Sequence, residues 1–328
     1  RNRSHFAAAH QRMRMATVLS VCYRRRMSIR SNHPVIIDWG TSNFRAYRFD
    51  DRGLAEERRA EAGILKVKEG AFESALRGAI GEWLSPGTDV LFSGMITSRN
   101  GWVETPYAFA PATLGDIAAQ MVERTLDDGV RLKFLPGVAM RPPSPDVMRG
   151  EEIQAFGAIG DDESALVVLP GTHSKWVTME RGRIAGFRSM MTGEVYAVLK
   201  DHSILGRLVP AEAQDARPDA FARGVRLSFD DAPGGFLHRI FTARSGALLG
   251  ALDSADIADY LSGVIIGDEL REGLKLAPHA GRVVLIGDEK LVARYRAAFA
   301  IAGVEAELGD ARATIAGFRK LAALRPSA

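Results

Sequence analysis

Asp38 is the first residue with an evident chemical use, because the short polar run Gly40, Thr41, Ser42 and Asn43 stands beside it. Such a turn offers backbone N–H groups and hydroxyls to a phosphate, and a neighbouring carboxylate can face the metal ion that travels with it. Arg45, just beyond the turn, could neutralise charge developing there, although an ordinary surface arginine fits the position equally well. A plain β-hairpin with a polar tip also accounts for this stretch taken alone. A second constellation lies at Gly171, Thr172, His173, Ser174 and Lys175. There Lys175 is either a phosphate contact or a solvated turn lysine. Between the two, Gly150, Glu151 and Glu152 open a helix. Acids in such a first turn complement the helix N-terminus, worth about 0.3–1 kcal/mol.

The elements that must carry these groups follow from the apolar pattern. Val35-Ile36-Ile37 reads as a buried strand ending at Asp38, and Phe44 to Phe49 as its return strand. Leu54 to Arg59 would extend the meander, and Phe72, Leu76, Ile80, Trp83 and Leu84 have helical spacing. Val90-Leu91-Phe92 is a short strand opening into the polar loop from Ser93 to Glu104. Leu114 to Thr125 is expected to be a helix and Val130 to Leu135 a strand. The proline-rich residues 141–145 have the composition of a linker or rigid turn. Leu166 to Leu169 then repeats the first pattern: buried strand, glycine turn, return strands at 176–180 and 184–190. The chain reads as mainly helical from Glu194 to Leu270. A late strand at Arg282 to Ile286 ends in a turn at Gly287. A helix over 290–302, an edge strand over 304–308 and a closing helix over 311–324 complete the chain.

Composition narrows the function class. Of 328 residues, 46% are hydrophobic and 25% charged, as in ordinary globular proteins. The net charge of +3 suggests an acidic partner until its source is located. Residues 1–33 hold eight arginines and no acid, leaving 35 of the 43 basic residues against all 40 acidic ones. The body is therefore acidic, and neither a nucleic acid nor a membrane is an expected partner. The leader resembles a transit peptide, or an upstream extension with Met27 as the initiator; the second reading is preferred. The single cysteine, Cys22, lies in it, so disulfides and thiolate metal sites are excluded from the body, which suits a cytoplasmic enzyme. No P-loop, dinucleotide fingerprint, H-E-x-x-H or serine-hydrolase elbow occurs.

Two phosphate-type hairpins and a late glycine turn together resemble the two phosphate loops and adenosine loop of the actin, hexokinase and heat-shock ATPase superfamily. More narrowly, the segments 38–50, 93–107, 148–159, 169–177, 191–206 and 260–270 resemble, in that order, the 2-dehydro-3-deoxygalactonokinase family. The resemblance implies an α/β fold of two actin-like (ribonuclease H-like) domains, each a mixed, five-stranded type of sheet with flanking helices, around a central cleft. The division it suggests is a leader at 1–33, a sugar- and phosphate-binding domain at 34–145 and an ATP-binding domain at 146–328, whose last helix can pack back on the first domain. It further implies ATP-dependent phosphorylation of the 6-hydroxyl of 2-dehydro-3-deoxy-D-galactonate, with ATP and Mg²⁺ as cofactors. A homodimer is compatible with the sequence but not fixed by it. Two rivals remain: a kinase for another sugar acid or ketose, and a non-catalytic actin-like regulator.

The resemblance also distributes roles. Asp38 becomes the metal-side carboxylate. Gly40, Thr41, Ser42, Asn43 and Arg45 form the first phosphate grip, and Gly171, Thr172, His173, Ser174 and Lys175 the second. Gly287 marks the adenosine side. In the related glycerol and pentulose kinases a Gly-Asp-Gln at a helix start supplies the catalytic carboxylate. Glu151 occupies that place here, with Glu152 as second choice. A sugar acid needs a guanidinium fork for its carboxylate and acceptors for its hydroxyls. Arg99, Asn100 and Glu104 are the candidates, with Trp102 either a sugar platform or a core residue anchoring the loop. Thr192 and Glu194 form a second polar edge, which His202 could reach, although a capped, satisfied histidine is the preferred reading of His202.

Overall fold

The structure, a computed structural model, describes residues 33–210, 212, 215–231, 233–277, 281–310 and 312–324. The leader, with Cys22 and Met27, falls outside them. The first half runs β1 (Val35–Trp39), β2 (Phe44–Asp50), β3 (Gly53–Ala60), α1 (Phe72–Ile80), β4 (Asp89–Ser93), β5 (Tyr107–Phe109), α2 (Leu114–Ala118), β6 (Val122–Thr125), β7 (Arg131–Phe134), β8 (Gly137–Met140) and β9 (Asp146–Met148). The second half runs α3 (Glu151–Ala158), β10 (Ala165–Leu169), β11 (Ser174–Glu180), β12 (Arg183–Met190), α4 (Thr192–His202), α5 (Pro218–Ser228), α6 (Gly235–Leu248), α7 (Ile257–Gly273), β13 (Val283–Leu285), α8 (Glu289–Ile301), β14 (Glu307–Leu308) and α9 (Ala313–Ala323).

The repeated pattern becomes a repeated topology. One sheet has the order β3-β2-β1-β4-β7-β6 and the other β12-β11-β10-β13-β14. In each, the strand before the glycine turn is central. It pairs antiparallel with its return strand and parallel with the next one: β1 with β2 and β4, β10 with β11 and β13. Central strands flanked on both sides are covered on both faces, which is why they read as unbroken apolar runs. Val35, Ile37 and Trp39 face α1 and the aromatics Phe92 and Phe134. Ile36, on the opposite face of β1, joins one core with Ile153 and Phe156 of α3, Ile315 and Phe318 of α9, and Val167 of the other sheet. The α3–α9 pair therefore lies between the two sheets, and α9 also touches β1 and α2. Beyond the second sheet, α5, α7 and α8 cover Leu166, Val168 and Trp176.

One expectation changes. The helix expected over 114–125 stops at Ala118, and Val122–Thr125 instead forms β6, antiparallel to β7. Of the two readings of the proline-rich 141–145, the turn is the one found: it reverses the chain between β8 and β9, which pair antiparallel. Among the described residues, no helix is long and apolar enough to cross a membrane.

Candidate active site

A cleft of about 870 Å³ opens where the C-terminal ends of the two central strands face each other. Its walls bring together ten of the residues singled out above: Asp38, Gly40, Thr41, Arg45, Glu151, Gly171, Thr172, His173, Lys175 and Gly287. The first hairpin is wired to present donors. The carbonyls of Gly40, Thr41 and Ser42 accept from the amides of Ile64, Leu65 and Gly63 at 3.0, 3.4 and 2.9 Å. The Asn43 carbonyl accepts from Gly40 N at 2.9 Å. With the tip's four backbone carbonyls and the Gly40 amide occupied, its other N–H groups and hydroxyls are the donors left to form an anion cradle.

Asp38 closes this hairpin. Its side chain is only 17% exposed and lies 3.6 Å from an Arg45 guanidinium nitrogen. Burial lifts its carboxyl to about 6; Arg45 opposes the shift and nearby Glu151 adds to it. Among the described residues, no group of three or more His, Cys, Asp or Glu could hold a metal ion unaided. Magnesium usually keeps several waters and takes one or two carboxylates plus substrate phosphates. A buried, under-neutralised Asp38 beside a donor cradle fits that requirement.

Helix α3 enters from between the sheets. Gly150 adopts φ +112°, and a Cβ there would stand 3.2 Å from Gly94 Cα. Gly94 itself adopts φ +92°, and a Cβ on it would meet the Trp39 carbonyl at 2.9 Å. Two glycines in the left-handed region thus let the ends of β1 and β4 and the start of α3 converge. Glu151 lines the cleft. Its Oε2 accepts from Arg149 N at 3.0 Å, and its Oε1 lies 3.6 Å from Lys175 Nζ, reaching in from β11. Glu152 turns away and is buried, its Oε2 accepting from Gly150 N at 2.6 Å and its Oε1 from Ser93 Oγ at 3.5 Å. Burial, with Glu151 adjacent, pushes it up to about 8.

Other expected site residues stand elsewhere. Ser42 and Asn43 are exposed at the hairpin tip and do not line the cleft. Ser174 is fully buried, with Oγ 2.9 Å from Tyr295 Oη and 3.4 Å from Glu269. Thr192 joins the same buried carboxylate, donating to Glu269, which also accepts from Trp176 Nε1 at 2.7 Å. Glu194 pairs with His173 across the second hairpin. Arg99, Asn100 and Glu104 are exposed and lie off the cleft wall. Trp102 stacks on Phe72 and meets Phe92 and Phe134 edge-on, as a core anchor of the loop. The cleft takes instead Met95, Ser98, Tyr107, Arg149 and Gln154 on one side, and Tyr47 and Arg59 on the other. Arg149 had a signal in the sequence, standing immediately before Gly150-Glu151-Glu152.

Residues 38–321 match the 2-keto-3-deoxy-galactonokinase family. The chain belongs to that family. It is 33% identical to 2-dehydro-3-deoxygalactonokinase of Escherichia coli (strain K12), over 88% of this chain and 97% of that protein. It is 36% identical to "Probable 2-dehydro-3-deoxygalactonokinase DgoK1" of Rhizobium meliloti (strain 1021), over 84% and 91%. The crystal structure of a candidate 2-dehydro-3-deoxygalactonokinase from Sinorhizobium meliloti superposes with a TM-score of 0.81 at 34% identity, covering 88% of this chain and 98% of that one. The doubled sheet is thus the fold of the 2-keto-3-deoxy-galactonokinase family. Membership makes the chain a phosphotransferase and implies ATP as its donor.

Proposed function

We propose that the chain transfers the γ-phosphoryl group of ATP to the 6-hydroxyl of 2-dehydro-3-deoxy-D-galactonate, a step of galactonate breakdown in the cytoplasm. The observation that carries the reading is the station of Glu151. It lies in the cleft between the two donor hairpins, beside a wall of Ser98, Tyr107 and Gln154 suited to a hydroxylated substrate. Phosphoryl transfer asks a protein chiefly for positioning and charge stabilisation. In this reading Gly40 and Thr41 grip the transferred phosphate, and Gly171, Thr172 and Lys175 the remainder of the chain of phosphates. Ile286 and Gly287 border the nucleoside. Glu151 accepts the proton of the 6-hydroxyl as its oxygen attacks phosphorus. Asp38 would hold Mg²⁺ through water, and the ion, when bound, would offset the charge of the phosphates. Arg45 neutralises charge on the equatorial oxygens. Closure of the two halves excludes water and favours the sugar over hydrolysis.

A coupled ADP-release assay over a panel of 2-keto-3-deoxy sugar acids and neutral sugars tests this. The galactonate derivative should give the highest kcat/KM. Turnover confined to glucose or glycerol would refute it, and so would wild-type turnover by Glu151→Gln.

A further inference from the structure

Arg149 is the most heavily anchored side chain at the cleft, yet it makes no ion pair among the described residues. Its Nη1 donates toward the Thr97 carbonyl at 2.6 Å, Thr97 Oγ1 at 2.7 Å and Thr105 Oγ1 at 2.5 Å. Nη2 reaches the Thr105 carbonyl at 3.3 Å, and the guanidinium lies over the Tyr107 ring, 4.4 Å from its centroid. The anchor is itself rigid. Thr97 and Thr105 are 0% and 3% exposed. Thr105 Oγ1 is also 3.1 Å from the Thr97 and Leu135 carbonyls, which ties the loop to the chain just after β7. Nε is buried with no partner, so the group is held by its two terminal nitrogens and one stacking face.

The backbone of this same residue holds Glu151, through the 3.0 Å bond from Arg149 N to Oε2. The next amide, Gly150 N, is held by Glu152 at 2.6 Å. The side chain therefore fixes the loop-facing end of a short rigid link whose other end sets the carboxylate. Lysine could carry the charge, but it lacks the planar fork and the stacking face.

We propose that Arg149 is a positioning residue for phosphoryl transfer: its guanidinium, locked onto Thr97, Thr105 and Tyr107, fixes the amide that aims Glu151 at the acceptor hydroxyl. The proposal rests on Glu151 being the base. A displacement of about 1 Å at such a group costs on the order of 10²-fold in rate.

The test is a double-mutant cycle of Arg149→Lys and Glu151→Gln, with kcat and KM measured for 2-dehydro-3-deoxy-D-galactonate and ATP. Arg149→Lys should lower kcat on the order of 10²-fold and leave both KM values within about threefold. Added to Glu151→Gln it should lower kcat by less than about threefold more, because a missing base cannot be misaimed. Thr105→Val removes one anchor and should lower kcat in the same sense, which keeps the test open if Arg149→Lys fails to fold. Multiplying effects in the cycle would overturn the proposal, as would a raised sugar-acid KM at unchanged kcat, the mark of direct carboxylate binding. Wild-type kcat in Glu151→Gln alone would instead remove the base assignment, and this inference with it.

Discussion

Replacing Gly157 with alanine should damage both stability and turnover, and the structure sets the size of each loss. Gly157 lies where α3 crosses α9. A Cβ there would stand 1.9 Å from the Ala313 carbonyl oxygen and 2.6 Å from Gly317 N. The crossing is reciprocal, since a Cβ at Gly317 would stand 2.0 Å from the Ile153 carbonyl oxygen. These opposing atoms are backbone and cannot swing aside, so the helices must part by more than an ångström. Overpacking of a core costs about 1–3 kcal/mol, and a backbone obstacle belongs at the upper end. At about 2–4 °C per kcal/mol for a fold of this size, the melting temperature should drop by roughly 6–12 °C. Glu151 rides on the same helix, so a shift of about 1 Å should also lower kcat on the order of 10²-fold. Gly78 is the control: it is exposed in α1 with nothing within 4 Å of its would-be Cβ. Gly78→Ala should stabilise by about 0.5–1 kcal/mol through helix propensity alone. Urea unfolding and steady-state kinetics on both variants decide the matter. A Gly157→Ala protein with wild-type midpoint and kcat would refute the close crossing.

Three further outcomes are expected. With Asp38 lifted to about 6 and Glu152 to about 8, the folded protein keeps protons that the unfolded chain releases. The stability they contribute is full below the ordinary carboxylate range and is lost as pH rises, through about 6 for Asp38 and about 8 for Glu152. Urea midpoints of the ligand-free protein should therefore fall from pH 5 toward 8. Glu152→Gln should flatten that slope and keep turnover, whereas Asp38→Asn should flatten it and abolish turnover; an unchanged slope in both refutes the burial argument. Ser174→Ala should cost about 1–3 kcal/mol by stranding partners around Glu269 while leaving the KM for ATP unchanged, so a raised KM would return Ser174 to the phosphate grip. Arg99→Ala should move stability by less than about 0.5 kcal/mol and leave the sugar-acid KM alone, and a tenfold rise would put Arg99 back in the pocket.

The two hairpins, their parallel partners and the late glycine turn were legible because each is a local pattern: apolar run, small polar turn, return strand. What the sequence concealed depends on partners far along the chain. Leu114, Ile117, Met121 and Val122 have helical spacing, yet the chain leaves the helix after Ala118 to supply an edge for β7. The Asp128-Gly129 turn, whose Gly129 donates to the Leu126 carbonyl at 2.9 Å, was the local sign of that hairpin. Trp102 offered no such sign. Its three aromatic neighbours come from α1, β4 and β7, and only their assembly decides between a sugar platform and a core anchor. Ser174 and Lys175 divide for a simpler reason. Side chains alternate along β11, so one of the two had to leave the cleft, and Ser174 turned toward Glu269.

The choice between Glu151 and Glu152 follows the same geometry on a helix. Adjacent residues project about 100° apart, so two neighbouring acids cannot both face one cleft. Glu152, Ala155, Phe156 and Ile159 fall at i, i+3, i+4 and i+7, and all four are buried between the sheets. Glu151 and Gln154 share a different face, three residues apart, and both line the cleft. The apolar stripe of α3 thus already claimed Glu152 in the sequence, as the polar member of the buried face. Its short bond to Gly150 N is what makes that burial tolerable. The buried acid holds the turn, and the turn presents its neighbour to the cleft.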